Sequence, residues 1–146
     1  MKYFTLQELT SSPTAAKYGI KNVPDETEKA RLVKLVDKIL DPLRKAYGAP
    51  IIVTSGFRCD RLNKVVGGAT SSQHRRGEAA DIRTKSDKPE ENKKLFDLIV
   101  SLKLPFDQLI NENNYDWVHV SFGPRQRRQK LRAVKKNGRW VYYSMK

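Results

Sequence analysis

The chain has only two histidines, and they stand far apart: His74 in S-S-Q-H-R-R-G-E-A-A-D and His119 in Y-D-W-V-H-V-S-F. Each has an acidic companion, Asp81 after the first and Asp116 before the second. A fold that uses these groups together has to bring two distant stretches to one place. Two imidazoles and two carboxylates at such spacings suggest a divalent metal with a base beside it. A catalytic metal of the zinc type takes three protein ligands and keeps one position for water, and His74, Asp81 and His119 supply such a set. Asp116 is then the candidate base. Strict alternation puts it on the opposite face of its strand from His119, so a bend at the strand's start has to bring it round. The competing reading is an ordinary surface or core role for each histidine.

The flanking sequence divides into short elements. Thr5 and Glu8 have capping-box spacing, and Ser12-Pro13 reads as an N-cap followed by Pro at the first helical position. Residues 1–24 are thus an ordered lead-in that stops at Gly19. Asp25 and Glu28 repeat the capping box and open a helix to residue 47, with a buried stripe at Leu32, Val36, Ile39, Leu43 and Tyr47. Pro42 should kink or divide it, and Gly48 should end it. Residues 50–57 read as a central strand, and residues 60–66 as a short helix with Asp60 at its N-cap. Residues 69–77 read as a loop and 79–83 as a second strand. Two adjacent alanines there, Ala79 and Ala80, suggest a close approach. Asp87 should cap a helix over 88–103. Strands follow at 106–110 and 117–122, with a turn at 111–114 between them. Asn137-Gly138 should close a terminal hairpin between residues 131–134 and 140–143.

At 146 residues the chain is long enough for one domain with a proper core. No apolar run reaches the length of a membrane span. The first residues lack an apolar signal core, so no secretory address is expected within them. The lone Cys59 excludes an internal disulfide and fits synthesis in a reducing compartment. With both histidines engaged elsewhere, nothing activates Cys59 as a nucleophile, and it reads as structural. The net charge is +13, and residues 123–146 hold nine of the Lys and Arg side chains and no acid. That end should attract a polyanion, whether nucleic acid, an anionic membrane or an anionic cell-wall polymer. A solvated edge that protects a terminal strand is the plainer reading.

The motifs together resemble one family. S-S-Q-H-R-R-G-E-A-A-D-I is similar to the S-x-H-x-x-G-x-A-x-D signature of the M15 zinc peptidases, and D-W-V-H resembles their second motif. V-T-S-G-F-R-C-D-R-L-N resembles their S-G-x-R segment. The lead-in F-T-L-Q-E-L and the helix end D-P-L-R-K-A-Y-G are similar to the compact M15A-like subgroup found in phages and bacteria. The resemblance runs over residues 3–122. It implies an α+β fold, with helices packed on a small, mainly antiparallel sheet like that of the hedgehog and D,D-peptidase folds. It implies one zinc ion on His74, Asp81 and His119, with Asp116 as general base and acid where many relatives carry Glu. It implies that Arg58 stabilises the oxyanion, that Ser72 and Gln73 contact substrate, with a plain loop cap as the alternative for Ser72, and that Gly77 serves only backbone geometry. Trp117 faces the His119 side and reads either as a cleft wall or as core.

The resemblance implies hydrolysis of amide bonds in peptidoglycan stem peptides or cross-bridges. The enzyme would be a carboxypeptidase or an endopeptidase of the phage or prophage endolysin type. It would be made in the cytoplasm and act on the wall after release, or as part of a virion. Two other classes stand beside it. One is a non-catalytic phage structural or wall-binding module with the same fold. The other, resting on charge alone, is a nucleic-acid-binding protein whose basic C-terminal segment, with Trp140, Tyr142 and Tyr143 among the cations, has the composition of a single-strand platform.

Overall fold

The computed structural model describes residues 1–146. The fold is α+β: six strands form one open sheet in the order β1-β2-β4-β3-β5-β6, antiparallel except where β5 runs parallel to β3. The strands are β1 (Ile51–Ser55), β2 (Ala79–Thr84), β3 (Gln108–Glu112), β4 (Trp117–Ser121), β5 (Gln129–Lys136) and β6 (Arg139–Ser144).

The helical half begins with two short helices, α1 (Leu6–Thr10) and α2 (Pro13–Lys17). Thr5 and Glu8 form the reciprocal capping box that their spacing predicts, and Ser12 caps α2 ahead of Pro13. Asp25 and Glu28 form a second box at the start of α3 (Glu26–Leu35). Pro42 divides the long helix, as expected, and does so through a π-helical turn at Val36–Leu40 that leads into α4 (Asp41–Tyr47). The wider turn accommodates the missing amide of Pro42 while Val36, Ile39, Leu40 and Leu43 all stay buried. Gly48 closes α4 at φ 75°, a left-handed cap that a side chain would oppose.

Helix α6 (Pro89–Ser101) packs directly on β2, β3 and β4, α1 packs on β1, and α3 and α4 join them in the core on that face of the sheet. Ala80, Ile82, Leu109, Val118 and Val120 project into that face and join one core of 20 buried residues. Alternation then sends Asp81 and His119 to the opposite face. The sequence pattern thus sets which face of the sheet carries chemistry.

Several local expectations need correction. The short helix α5 (Asp60–Val65) starts at Asp60, with Cys59 as its N-cap, because the Asp60 carboxylate is drawn to Arg75 at 2.9 Å. Lys88, and not Asp87, is the N-cap of α6. Asp87 sits at φ 58° and accepts from Asn92 Nδ2 instead. The loop at 69–77 contains a turn of 3₁₀ helix at Gln73–Arg76. Strand β3 runs two residues further than the Asn-rich sequence suggests, so Asn111 and Glu112 lie in the sheet. The turn after it carries three successive left-handed residues, Asn113, Asn114 and Tyr115. Asn92, fully buried on α6, holds this turn by donating to the carbonyls of Tyr115 and Asp116 at 3.0 and 3.2 Å.

The terminal hairpin forms as the Asn137-Gly138 pair predicts, with φ of 52° and 76° at the two turn residues. It is integral to the sheet: β5 pairs with β3 over five residue positions, from Gln108↔Gln129 to Glu112↔Ala133.

Candidate metal centre and its cleft

β2 and β4 lie side by side with Asp81 directly opposite His119. His74 reaches them from the 3₁₀ turn that precedes β2. The three side chains offer ligand atoms that all lie within 4.8 Å of one another. Asp81 Oδ1 is 3.3 Å from His74 Nε2 and 3.0 Å from His119 Nδ1, and the two rings meet edge to face at 5.1 Å. Ligands held tetrahedrally at the usual zinc–nitrogen and zinc–oxygen lengths stand about 3.3 Å apart, so the spacing fits. The donor chemistry fits too. The His74 Nδ1 lies 2.7 Å from the Gly56 carbonyl, which only accepts. The proton is therefore on Nδ1, and Nε2 keeps its lone pair for a metal. Burial alone would raise the Asp81 pKa, but the two imidazoles outweigh it and hold the carboxylate well below its usual range.

The backbone around the site is fixed tightly. A bulge between Val53 and Ser55 turns the end of β1 beside Asp81. A Cβ on Gly56 would run into the Leu9 carbonyl, so only glycine lets α1 approach so closely the carbonyl that accepts from His74. Gly77 has φ 77°, and a Cβ there would meet the Glu28 carbonyl at 2.6 Å. It serves backbone geometry, as expected.

Arg58 follows β1 and is half-buried beside the cluster. Its backbone N–H donates to the His74 carbonyl at 3.0 Å. Asn22 clamps its neighbours, donating to the carbonyl of Phe57 and accepting from the amide of Cys59, each at 2.8 Å. The Cys59 side chain, partly buried against the core, fits its structural reading. The guanidinium is under-used: Nη2 reaches Ser72 Oγ at 3.4 Å, while Nε is buried with no partner. Burial lowers its pKa and the charge of Asp81 raises it. A buried cation with a spare donor can receive an oxyanion or carboxylate. A cleft of about 230 Å³ opens here, lined among others by Ser12, Pro13, Thr54, Phe57, Arg58 and Asp81.

Ser72 and Gln73 both hold the metal loop in place, Ser72 through the loop cap that is its alternative reading. Ser72 Oγ accepts from the His74 amide at 3.2 Å and caps the 3₁₀ turn. Gln73 is only 6% exposed, and its amide donates to Asp107 at 2.9 Å, inside the protein. Asp107 is fully buried and also takes two side-chain bonds from Arg127, at 2.7 and 3.0 Å. This latch ties the metal loop to the segment after β4. Burial would raise the Asp107 pKa, but Arg127 and Gln73 hold it at about 2.

The structure separates Asp116 from the role its spacing suggested. It is exposed in the β3–β4 turn, and its carboxylate accepts from Asn113 at 2.6 Å. The left-handed turn does not bend it toward the His119 face. The carboxylate on that face is Glu112, which pairs with Trp117 and stands two residues from Ile110, the partner of His119. Diagonal neighbours of this kind lie about 7–8 Å apart, within reach of a Glu side chain. Glu112 is 7% exposed. Burial, helped by the charge of Asp81 and opposed by His119, pushes its pKa up to about 7. The signal that could have found Glu112 is the alternation of β3 itself, with Gln108, Ile110 and Glu112 on one face, once the strand is carried past Ile110.

Residues 2–121 match the family model described as Peptidase M15. No curated protein matches the chain.

Proposed function

Because the chain belongs to the M15 peptidase family, a family of metallopeptidases, we propose that it is a zinc enzyme that hydrolyses amide bonds in peptidoglycan stem peptides or cross-bridges. The observation that carries this reading is the convergence of His74, Asp81 and His119 beside Arg58, with Glu112 on the same face. A zinc ion on the three ligands supplies Lewis acidity toward a water molecule and the peptide carbonyl. The residues divide the rest of the work. Glu112, whose pKa is raised to about 7 in the metal-free site, faces the ligands and is placed to take the proton of the attacking water and to return it to the leaving amine. Arg58 donates to the oxygen of the attacked carbonyl as negative charge develops there, and a donor so placed is worth about 3 kcal/mol of barrier. Gly56 and Ser72 keep His74 in the correct tautomer and position. Asp81 keeps its charge against burial because both imidazoles face it.

The chain contains no helix long and apolar enough to cross a membrane. We place it among endolysin-type enzymes of phage or prophage origin, acting on the wall after release or from a virion. The outer face of the hairpin supports a second contact. Arg132 lies over the ring of Tyr143 at 4.8 Å, and Lys136 lies over the same ring at 5.2 Å. This basic face suits anionic wall polymers, and nucleic acid is the less fitting partner.

Digestion of purified peptidoglycan, followed by mass spectrometry of the products, tests the reading. Fragments should appear with zinc, vanish with a chelator and be lost in His119→Ala. Their masses name the bond and separate carboxypeptidase from endopeptidase. Bound zinc without fragments from any wall chemotype would leave a non-catalytic wall-binding module as the reading.

A further inference from the structure

The face that carries the metal ligands does not end where the family match does. The match stops at residue 121, yet β5 and β6 continue the same sheet. The register carries the rows of the site across them. Asp81, His119, Ile110 and Leu131 stand in one row. Trp117, Glu112, Ala133 and Tyr142 stand in the next. Residues paired in register project to the same side of a sheet. Tyr142 therefore faces the same space as Glu112, two strands away, or about 10 Å at the usual strand spacing.

The side chains on this part of the face form a ridge. Trp140 meets Trp117 of β4 across the intervening strands, with ring centroids 5.8 Å apart at 78°. Trp140 also packs on a small apolar cluster of Ile110, Leu131 and Ala133, separate from the main core. Lys135 holds its ammonium 5.7 Å from the Trp140 ring. Tyr142 stays 53% exposed beside this packed base. A rigid aromatic side chain held open beside the metal-bearing face has area to give to a ligand at small entropic cost. Burial and the charges of Glu112 and Asp81 raise the phenol pKa, which agrees with a shared space and keeps the hydroxyl a donor.

We infer that the C-terminal hairpin is a wall of the substrate cleft, in which Tyr142 and the Trp117–Trp140 pair bind the peptide segment on the far side of the scissile bond from Arg58. This rests on the peptidase reading above. The Tyr142 ring packs on the segment and its hydroxyl donates to a backbone carbonyl. The hairpin is then two-sided: aromatic toward the cleft, and basic at Arg132 and Lys136 on the outside. Tyr142 is a specificity residue and takes no part in bond cleavage.

The test uses a soluble disaccharide-pentapeptide muropeptide, so that attachment to an insoluble wall plays no part. Tyr142→Ala should lower kcat/KM at least tenfold, mainly through KM, with bound zinc unchanged. Tyr142→Phe should lose only a few-fold. A Tyr142→Ala enzyme within twofold of the wild type overturns the inference. A second measurement is independent of turnover. Both tryptophans of the chain are in the wall, so intrinsic fluorescence reports its occupancy directly. Zinc-loaded Glu112→Gln titrated with the muropeptide should give a saturable change that weakens at least tenfold when Tyr142→Ala is added. Saturable binding without wild-type cleavage would sustain the wall and sink the peptidase reading. Cleavage with no fluorescence response would overturn the wall alone, and neither signal would overturn both.

Discussion

Replacing Glu112 with Gln should abolish turnover and stabilise the metal-free fold at the same time. Glu112 is 7% exposed, and its pKa moves from an ordinary 4.5 to about 7 through burial and the nearby charge of Asp81. That displacement corresponds to about 3 kcal/mol against the ionised form. The folded state binds the proton more tightly than the unfolded chain does. The stabilisation is therefore fully present below about pH 4.5 and is lost as pH rises through about 7. Gln is isosteric and cannot ionise. Urea unfolding of metal-free wild type and Glu112→Gln should coincide near pH 4.5 and separate by up to about 3 kcal/mol near pH 8, with the variant more stable. Hydrolysis by the zinc-loaded variant should fall by about 10²–10⁴, the usual contribution of a general base. Asp116→Asn, altered at an exposed turn residue bonded only locally to Asn113, should stay within a few-fold of the wild type. Loss of activity in Asp116→Asn with retention in Glu112→Gln would return the base to Asp116. Superimposable unfolding curves near pH 8 would refute the electrostatic account of Glu112.

Other perturbations separate ligands from scaffold. His74→Ala and His119→Ala should each abolish the single bound zinc, measured by equilibrium dialysis and elemental analysis. Arg127→Met leaves the fully buried Asp107 with only Arg125, at 3.8 Å, as its cation and should cost about 1–3 kcal/mol in urea unfolding. Asp107 also sets an acid limit. Its folded pKa of about 2 lies below the ordinary 3.8, so about 2 kcal/mol of stability, present above 3.8, should disappear as pH falls through 2. Gly56→Ala drives a Cβ into the Leu9 carbonyl. It should destabilise by about 1–3 kcal/mol and weaken zinc affinity, because the carbonyl that orients His74 must shift.

The parts of this molecule that the sequence makes legible are those with short-range causes. Both capping boxes, the division of the long helix by Pro42, the glycine caps and the Asn137-Gly138 turn depend on residues within a few positions of each other. The metal triad was legible because its two motifs are compact and alternation on β4 puts His119 away from the core. Asp116 misled because its spacing to His119 is local, while the turn it occupies is shaped by Asn92 on a distant helix. Glu112 was hidden by the neighbouring asparagines, which read as a turn although strand pairing with β4 and β5 holds the segment extended. The partner of Gln73 is not legible from the resemblance, because only the tertiary fold brings Asp107 near. The parallel pairing of β5 with β3 has no local signal, because its partners are distant in sequence.

The Asp107 latch also bears on the order in which the molecule is completed. A chain grows from its N-terminus, and His74, Asp81 and His119 are all synthesised before Arg127. A nascent chain that has just exposed its third ligand therefore carries the whole metal motif but not the cation that closes the brace behind the Gln73–Arg76 turn. Bridging positions 73, 107 and 127 spans most of the second half of the chain, and such long closures are slow steps. Zinc acquisition in this protein should accordingly be a post-translational event that reports the arrival of the last strands.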